Sequence, residues 1–320
     1  MREIGGYIEI GRGRGAEYHK NAVALNCGRS CVEYLIRAKK IKKLYIPYFL
    51  CASVRNLCEK CGCEYELYNI TNDFIPDLKK IPKENEFVFV INYYGQLTKK
   101  TIGEIKGKYK NIIMDNTQNF FGMPQDGIDT LYSCRKFFGV PDGAYLYTDS
   151  HLDDELETDV SYGKMQFLLG RLELGAEKFY HEYVENNSKF AKENMKYMSM
   201  LTHTLLGNED YDFVKNRRTE NFKFLHNELK SKNMLNLIVP DGPFMYPLLL
   251  ENGEFVKSKL IEKKIFVPTL WPAVFDVADQ NSIESYYSKN IVPIPIDQRY
   301  GTEEMKYIVE VLSNVLSERN

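Results

Sequence analysis

The sequence predicts an α/β protein: a mainly parallel sheet between helices, followed by a smaller α+β domain. Three observations carry this. Helical and strand-like runs alternate through the first half, as a parallel sheet requires, because each parallel connection needs a crossover. "EFVFVINYYG" (86–95) is almost wholly apolar, as befits a strand covered on both faces. From about residue 165 the strict alternation stops. With 320 residues, we expect a large domain with an N-terminal strap over 1–205 and a small α+β domain over 206–320.

In chain order, "GRSCVEYLIRAKKI" places Cys31, Leu35 and Ile36 on one helix face. "KLYIPYF" is a short strand, "CASVRNLCEKC" a helix and "CEYELYNI" a strand. "TIGEIKGKYK" reads as a helix and "NIIMDNTQ" as a strand with a polar end. "IDTLYSC" and "GAYLYTD" add two strands. The stretch 165–206 reads as one long helical run, and "DYDFVKNRRTENFKFLHNELKSK" as another helix. "PFMYPLLL" and "KKIFVPTLW" are expected strands on either side of the helix "GEFVKSKLIEK". The last helix carries Met305, Ile308, Val309, Leu312 and Leu316 as a stripe.

Composition excludes several classes. Lys+Arg number 42 and Asp+Glu 44, a formal charge of −2, so no broad field favours nucleic acid or anionic membrane. No run of 18 apolar residues exists, and the start lacks a signal-peptide core; a cytoplasmic protein is expected. Seven cysteines are an odd set for a disulfide framework. "CEKCGC" suggests a metal knuckle, but Cys51, Val54, Cys58 and Cys61 share helical spacing and Gly62 is a natural helix stop. No metal site is expected.

Three segments can carry chemistry. At Gly28, Arg29 and Ser30 a helix begins, offering free backbone amides and the positive end of the helix dipole to a phosphate; a plain capped helix start is the alternative. Asp115 and Gln118 follow an apolar strand, where ligands of open α/β sheets sit; a turn or N-cap role is the alternative. Ser133 and Lys136 close another strand, flanked by "YSC" and "FFGVP". A desolvated lysine releases its proton more easily and becomes a nucleophile. A phosphate cradle, a strand-end carboxylate and a nucleophilic amine, in that order, are what pyridoxal 5'-phosphate requires.

These segments resemble the DegT/DnrJ/StrS-type pyridoxal-phosphate-dependent sugar aminotransferases of fold type I. The resemblance runs through "NCGRS", "IPYFLCASVRN", "NYYGQ" (Asn92 in place of a histidine), "DNTQ", "KFFGVPDGA", "KNRRTENFKFLHNEL" and "VPIPIDQRYGTEEMKYIVEVL", nearly the whole chain. It implies a seven-stranded sheet and a homodimer. Lys136 would hold the cofactor and shuttle the substrate proton, and Asp115 would face the pyridine nitrogen. Gln118 would lie near the phenolic oxygen, Ser133 near the phosphate or ring, and Gly28, Arg29 and Ser30 at the phosphate. It also implies an amino donor such as glutamate and a keto sugar, on a nucleotide, as acceptor, for surface polysaccharide.

The departures are specific. Cys51 falls where the family places a ring-stacking aromatic, leaving Tyr48, Phe49, Tyr93 and Tyr94 as substitutes. "MKYMS" (195–199) lacks the asparagine and arginine of the family's inter-subunit segment. Other carbanion chemistry (lyase, racemase or dehydratase) and a non-catalytic ligand-binding relative are the alternative readings. "GRGRG" (11–15) reads as a strap whose Arg12 and Arg14 could touch an anion, Trp271 as a packed loop residue, and Arg299 as either an anion clamp or an ion-pair partner.

Overall fold

A computed structural model describes residues 4–11 and 15–318; Arg12 and Arg14 lie outside them. The first half runs β1 (Val23–Leu25), α1 (Gly28–Ala38), β2 (Lys43–Pro47), α2 (Ala52–Cys61), β3 (Glu64–Ile70), β4 (Pro76–Asp77), β5 (Glu86–Ile91), α3 (Lys99–Tyr109), β6 (Ile112–Asp115), β7 (Asp129–Ser133) and β8 (Ala144–Tyr147). One sheet gathers them in the order β1-β8-β7-β6-β5-β2-β3-β4. Neighbours among β3, β2, β5, β6 and β7 pair in parallel, whereas β8 runs against both β7 and β1. The seven strands expected are joined at the edge by β4, a two-residue strand against β3. Val88, Val90, Ile112, Ile113 and Leu131 are essentially without solvent contact. Burying each such side chain contributes about 1.5–3 kcal/mol relative to exposure.

Local signals explain the helix ends. Thr98 caps α3 by accepting from the Thr101 amide at 3.1 Å. Gly62 ends α2 in the left-handed region, φ 64°, and "CEYELYNI" follows as β3, so the "CEKCGC" stretch is a helix end and a strand start.

The remaining elements are α4 (Gln166–Leu174), α5 (Tyr180–Lys189), α6 (Met200–Leu206), α7 (Tyr211–Leu229), β9 (Met245–Leu249), α8 (Gly253–Glu262), α9 (Ile283–Asn290), β10 (Ile291–Pro295) and α10 (Thr302–Ser317). Two expectations need correction. The run 165–206 is three helices. Gly175, with φ 91°, ends α4, and Tyr197 is extended to bridge Leu25 and Thr158. "KKIFVPTLW" is not a strand. Ile265 and Val267 bury alternately and so mimic one, but the antiparallel partner of β9 is β10.

One apolar cluster covers the sheet, and a second joins Phe120, Tyr132, Phe137, Phe138 and Tyr145 above it. A third is built from Phe222 through Val315 and includes Met305, Ile308 and Leu312 of the expected stripe. The strap is pinned to α6: Glu17 accepts from His203 Nδ1 at 2.7 Å and from the Tyr145 hydroxyl, and the Gly15 amide donates to the Gly207 carbonyl at 3.1 Å.

Candidate functional site

The carboxyl ends of β6 and β7 meet the start of α1. Asp115 ends β6 and is buried, at 8% exposure. Its Oδ1 accepts from the Thr117 amide at 2.8 Å. The Thr117 hydroxyl in turn accepts from Lys136 Nζ at 2.8 Å. One residue thus bridges carboxylate and amine. Thr117 lies within "DNTQ" with no local signal to mark it, because its contact with Lys136 exists only once β6 and β7 lie side by side.

Lys136 follows β7 in a single helical turn, Cys134–Lys136. Lys136 is exposed to solvent, while protein packed along one side of its side chain still costs the amine hydration. The surrounding protein governs its hydration. Burial pushes the Lys136 ammonium below the ordinary lysine value, and the charges of Asp115 and Cys51 oppose this. The Phe244 ring centroid lies 5.7 Å from Nζ. Behind the lysine, Asp142 is fully buried and accepts from the Ser199 amide at 2.9 Å, from Ser199 Oγ at 2.7 Å and from the Thr202 hydroxyl. Gly143 sits at φ 113°, where an added Cβ would lie 2.9 Å from Thr202 Cγ2. The Asp-Gly pair after the lysine therefore locks its loop to the start of α6.

The start of α1 has no side-chain cap and no acidic residue in its first turn, so its amides remain available. The Ser30 hydroxyl turns inward to Asn26 Oδ1 at 2.6 Å, leaving its backbone as the outward group. Arg29 reaches the Asn187 carbonyl at 3.3 Å. A Cβ on Gly28 would make ordinary contacts only, 3.8 Å to Leu131 and 3.9 Å to Thr117. No protein neighbour demands glycine there.

Gln118 is 2% exposed and accepts from the Tyr94 amide at 2.7 Å, which fixes Tyr94 in its left-handed conformation, φ 54°. Ser133 is half-buried, and its hydroxyl caps nothing. Asn92 is fully buried and ties β5 to β6, donating to Asn116 Oδ1 at 3.1 Å.

The substitutes for a stacking ring are mostly committed elsewhere. Phe49, Tyr93 and Tyr94 are at most 1% exposed. Phe49 packs on Tyr93 and Trp271 at 5.1 and 4.4 Å, so Trp271 is the packed loop residue expected. Cys51 is exposed at the start of α2. Arg299 is an ion-pair partner, bidentate on Asp297 at 2.6 and 2.9 Å. A concavity of about 1060 Å³ is lined by Asp73, Met234, Phe275, Ser282, Tyr286 and Lys289 and by none of the candidate site residues. The candidate rests on chemistry, not volume: among the described residues, the Lys136 cleft joins an amine, a buried carboxylate and an open helix start.

No family model matches the chain, and no curated protein matches it in sequence. Solved structures do. A DegT DnrJ EryC1 StrS aminotransferase from Brucella abortus superposes with TM-score 0.63 at 13% identity, covering 92% of this chain and 85% of that one. NtdA from Bacillus subtilis, solved with bound cofactor PMP, gives TM-score 0.64 at 15% identity, covering 92% and 73%. Helicobacter pylori PseC, an aminotransferase involved in the biosynthesis of pseudoaminic acid, gives 0.61 at 14%, covering 93% and 87%. The chain is built on the fold of these aminotransferases, a fold type I arrangement with a mainly parallel eight-stranded sheet and a small second sheet.

Proposed function

We propose that this protein is a pyridoxal-phosphate-dependent aminotransferase, moving an amino group from an amino acid such as glutamate to a keto sugar carried on a nucleotide, for surface polysaccharide. The observation that carries the reading is the Lys136–Thr117–Asp115 relay beside the open start of α1. Its donor and acceptor sets fit the cofactor. The free amides of Gly28, Arg29 and Ser30 suit a phosphate, and the absence of a Cβ at Gly28 lets a ligand pack on that turn. Asp115 is a buried acceptor suited to a protonated ring nitrogen. Gln118 Nε2 has no protein acceptor among the described residues and is left to donate to a phenolic oxygen, while Ser133 keeps a free hydroxyl.

When bound, the cofactor supplies an electron sink for charge at the substrate α-carbon. The protein does the rest. Lys136, held below its ordinary pKa by burial, binds the cofactor and then takes and returns the α-proton. Thr117 keeps its amine on the side of Asp115. Asp115, whose Oδ1 already accepts from the Thr117 amide, would accept from a protonated ring nitrogen on the side of the cleft where Thr117 holds the amine. We further propose the division at residue 205, supported by the separate apolar cluster of the C-terminal segment, together with a cytoplasmic homodimer.

Adding glutamate to the purified protein loaded with pyridoxal 5'-phosphate should bleach its visible absorbance. Borohydride added before the donor should fix the cofactor to the peptide containing Lys136. A colourless protein, or a label on a different lysine, overturns the reading. A labelled Lys136 without donor-dependent bleaching leaves the cofactor site standing and overturns transamination.

A further inference from the structure

We infer that Arg218 of α7, with Gln298, is a positioning residue for Lys136 that ties the C-terminal segment to the amine. The inference rests on the proposed role of Lys136. Arg218 is 2% exposed and makes no ion pair among the described residues; the carboxylate whose charge bears on it, Asp297, is engaged by Arg299. A buried guanidinium without a carboxylate is costly unless its donors are all used. Here they converge on one place. Nη2 donates to the Phe137 carbonyl at 3.3 Å, and Nη1 to the Pro243 and Phe244 carbonyls at 3.2 and 3.3 Å. Nε donates to Gln298 Oε1 at 2.8 Å. Gln298 Nε2 then donates to the same Phe137 carbonyl, also at 2.8 Å.

Phe137 directly follows Lys136, and Phe244 is the ring that stands 5.7 Å from its ammonium. The two rings lie 5.8 Å apart, and the guanidinium sits 4.5 Å from the Phe137 ring centroid. A single fork therefore fixes the backbone on one side of the lysine and the aromatic wall on the other. The residues come from α7, from the segment entering β9 and from the segment leaving β10, so three parts of the C-terminal region set one amine. The groups that charge-couple to Lys136 are Asp115 of β6 and Cys51 at the start of α2; Arg218 acts on it through Phe137 and Phe244.

The test measures the pH dependence of Lys136 acylation by acetic anhydride, read by peptide mass spectrometry on the full chain without added cofactor. Releasing the clamp lets the Phe137 and Phe244 rings withdraw from the amine, so the apparent pKa of Lys136 should rise by about one unit in Arg218→Met and Gln298→Ala, with reactivity at neutral pH falling about tenfold. Arg218→Lys keeps the charge and loses the fork. It should shift nearly as far if geometry governs. Folded variants that titrate as wild type overturn the inference. Should Arg218→Met not fold, Gln298→Ala decides alone, because Gln298 is only half-buried. A wild-type Lys136 that titrates like an ordinary lysine overturns the reading of the site instead, which separates the two failures.

Discussion

Two lysines in different halves of the molecule are pushed below the ordinary lysine value by desolvation, and of the two Lys136 borders a cleft while Lys257 is buried. Lys257 of α8 is 4% exposed in the small-sheet region. Burial brings it down to about 8, against a weaker upward pull from Glu254. Its Nζ donates to the Ser288 carbonyl of α9 at 3.0 Å, near the negative end of that helix. Lys136 is likewise pushed down by burial, but it borders a cleft, and its hydrogen bond leads through Thr117 to a buried carboxylate. Desolvation alone thus does not single out Lys136 for its proposed role. Access for a ligand and a partner across the cleft do.

The sharpest way to break this comparison is to remove each amine. Lys136→Ala should lose cofactor attachment and lower transamination by roughly 10³-fold or more, since it deletes both nucleophile and proton shuttle. Lys257→Met should keep attachment and rate within about twofold, because it lies outside the cleft. Equal losses in both, measured as borohydride-fixed cofactor per chain, would show that burial and not placement matters.

Next in size is the partner across the cleft. Asp115→Asn keeps the acceptor that binds the Thr117 amide but removes the charge. Transamination should fall by about 10²–10³-fold, a loss comparable to deleting one preorganised electrostatic contact. Cofactor attachment at Lys136 should survive. An unchanged rate would remove Asp115 from the chemistry.

A smaller effect concerns stability. In the window between about 8 and the ordinary lysine value of 10.5, the unfolded chain still holds a proton that folded Lys257 has released. Stability therefore rises with pH across that window, and the full penalty is present below it. Lys257→Met lacks this dependence. Its advantage over wild type at neutral pH should shrink by up to about 3 kcal/mol on moving to pH 10.5, read from urea midpoints. A constant difference would mean that the Ser288 carbonyl fully compensates the buried ammonium.

How much of this was legible beforehand follows the range of the interactions. The strands of the first half announce themselves by composition, because a strand buried on both faces must be apolar along its length. Asp115, Lys136 and the start of α1 were legible because each lies at an element end with a local signature. Thr117, Phe244, Arg218 and Gln298 were not. Their significance arises from contacts across as many as 161 positions, as between Gln298 and Phe137, which no periodicity encodes. The "KKIFVPTLW" segment failed for a related reason: alternating burial of Ile265 and Val267 satisfies a strand pattern, while the ladder partner was decided by β10.

The smallest expected effect tests the most unusual position in the cleft. Cys51 is exposed, shares a contact of 2.7 Å with Ser53 Oγ, and lies close enough for its charge to bear on Lys136. Phe49, Tyr93 and Tyr94 are held in the core and Tyr48 is half-buried, so under the proposed function a thiol stands where the family resemblance expects a stacking ring. Cys51→Tyr should tighten pyridoxal 5'-phosphate binding by about 0.5–1.5 kcal/mol, the range for one aromatic pair, or roughly two- to tenfold in Kd. The gain should be absent with inorganic phosphate, which has no ring to stack on. Tyrosine that weakens cofactor binding would instead place residue 51 too near the ring for a larger side chain, and would make the small thiol a requirement of this cleft.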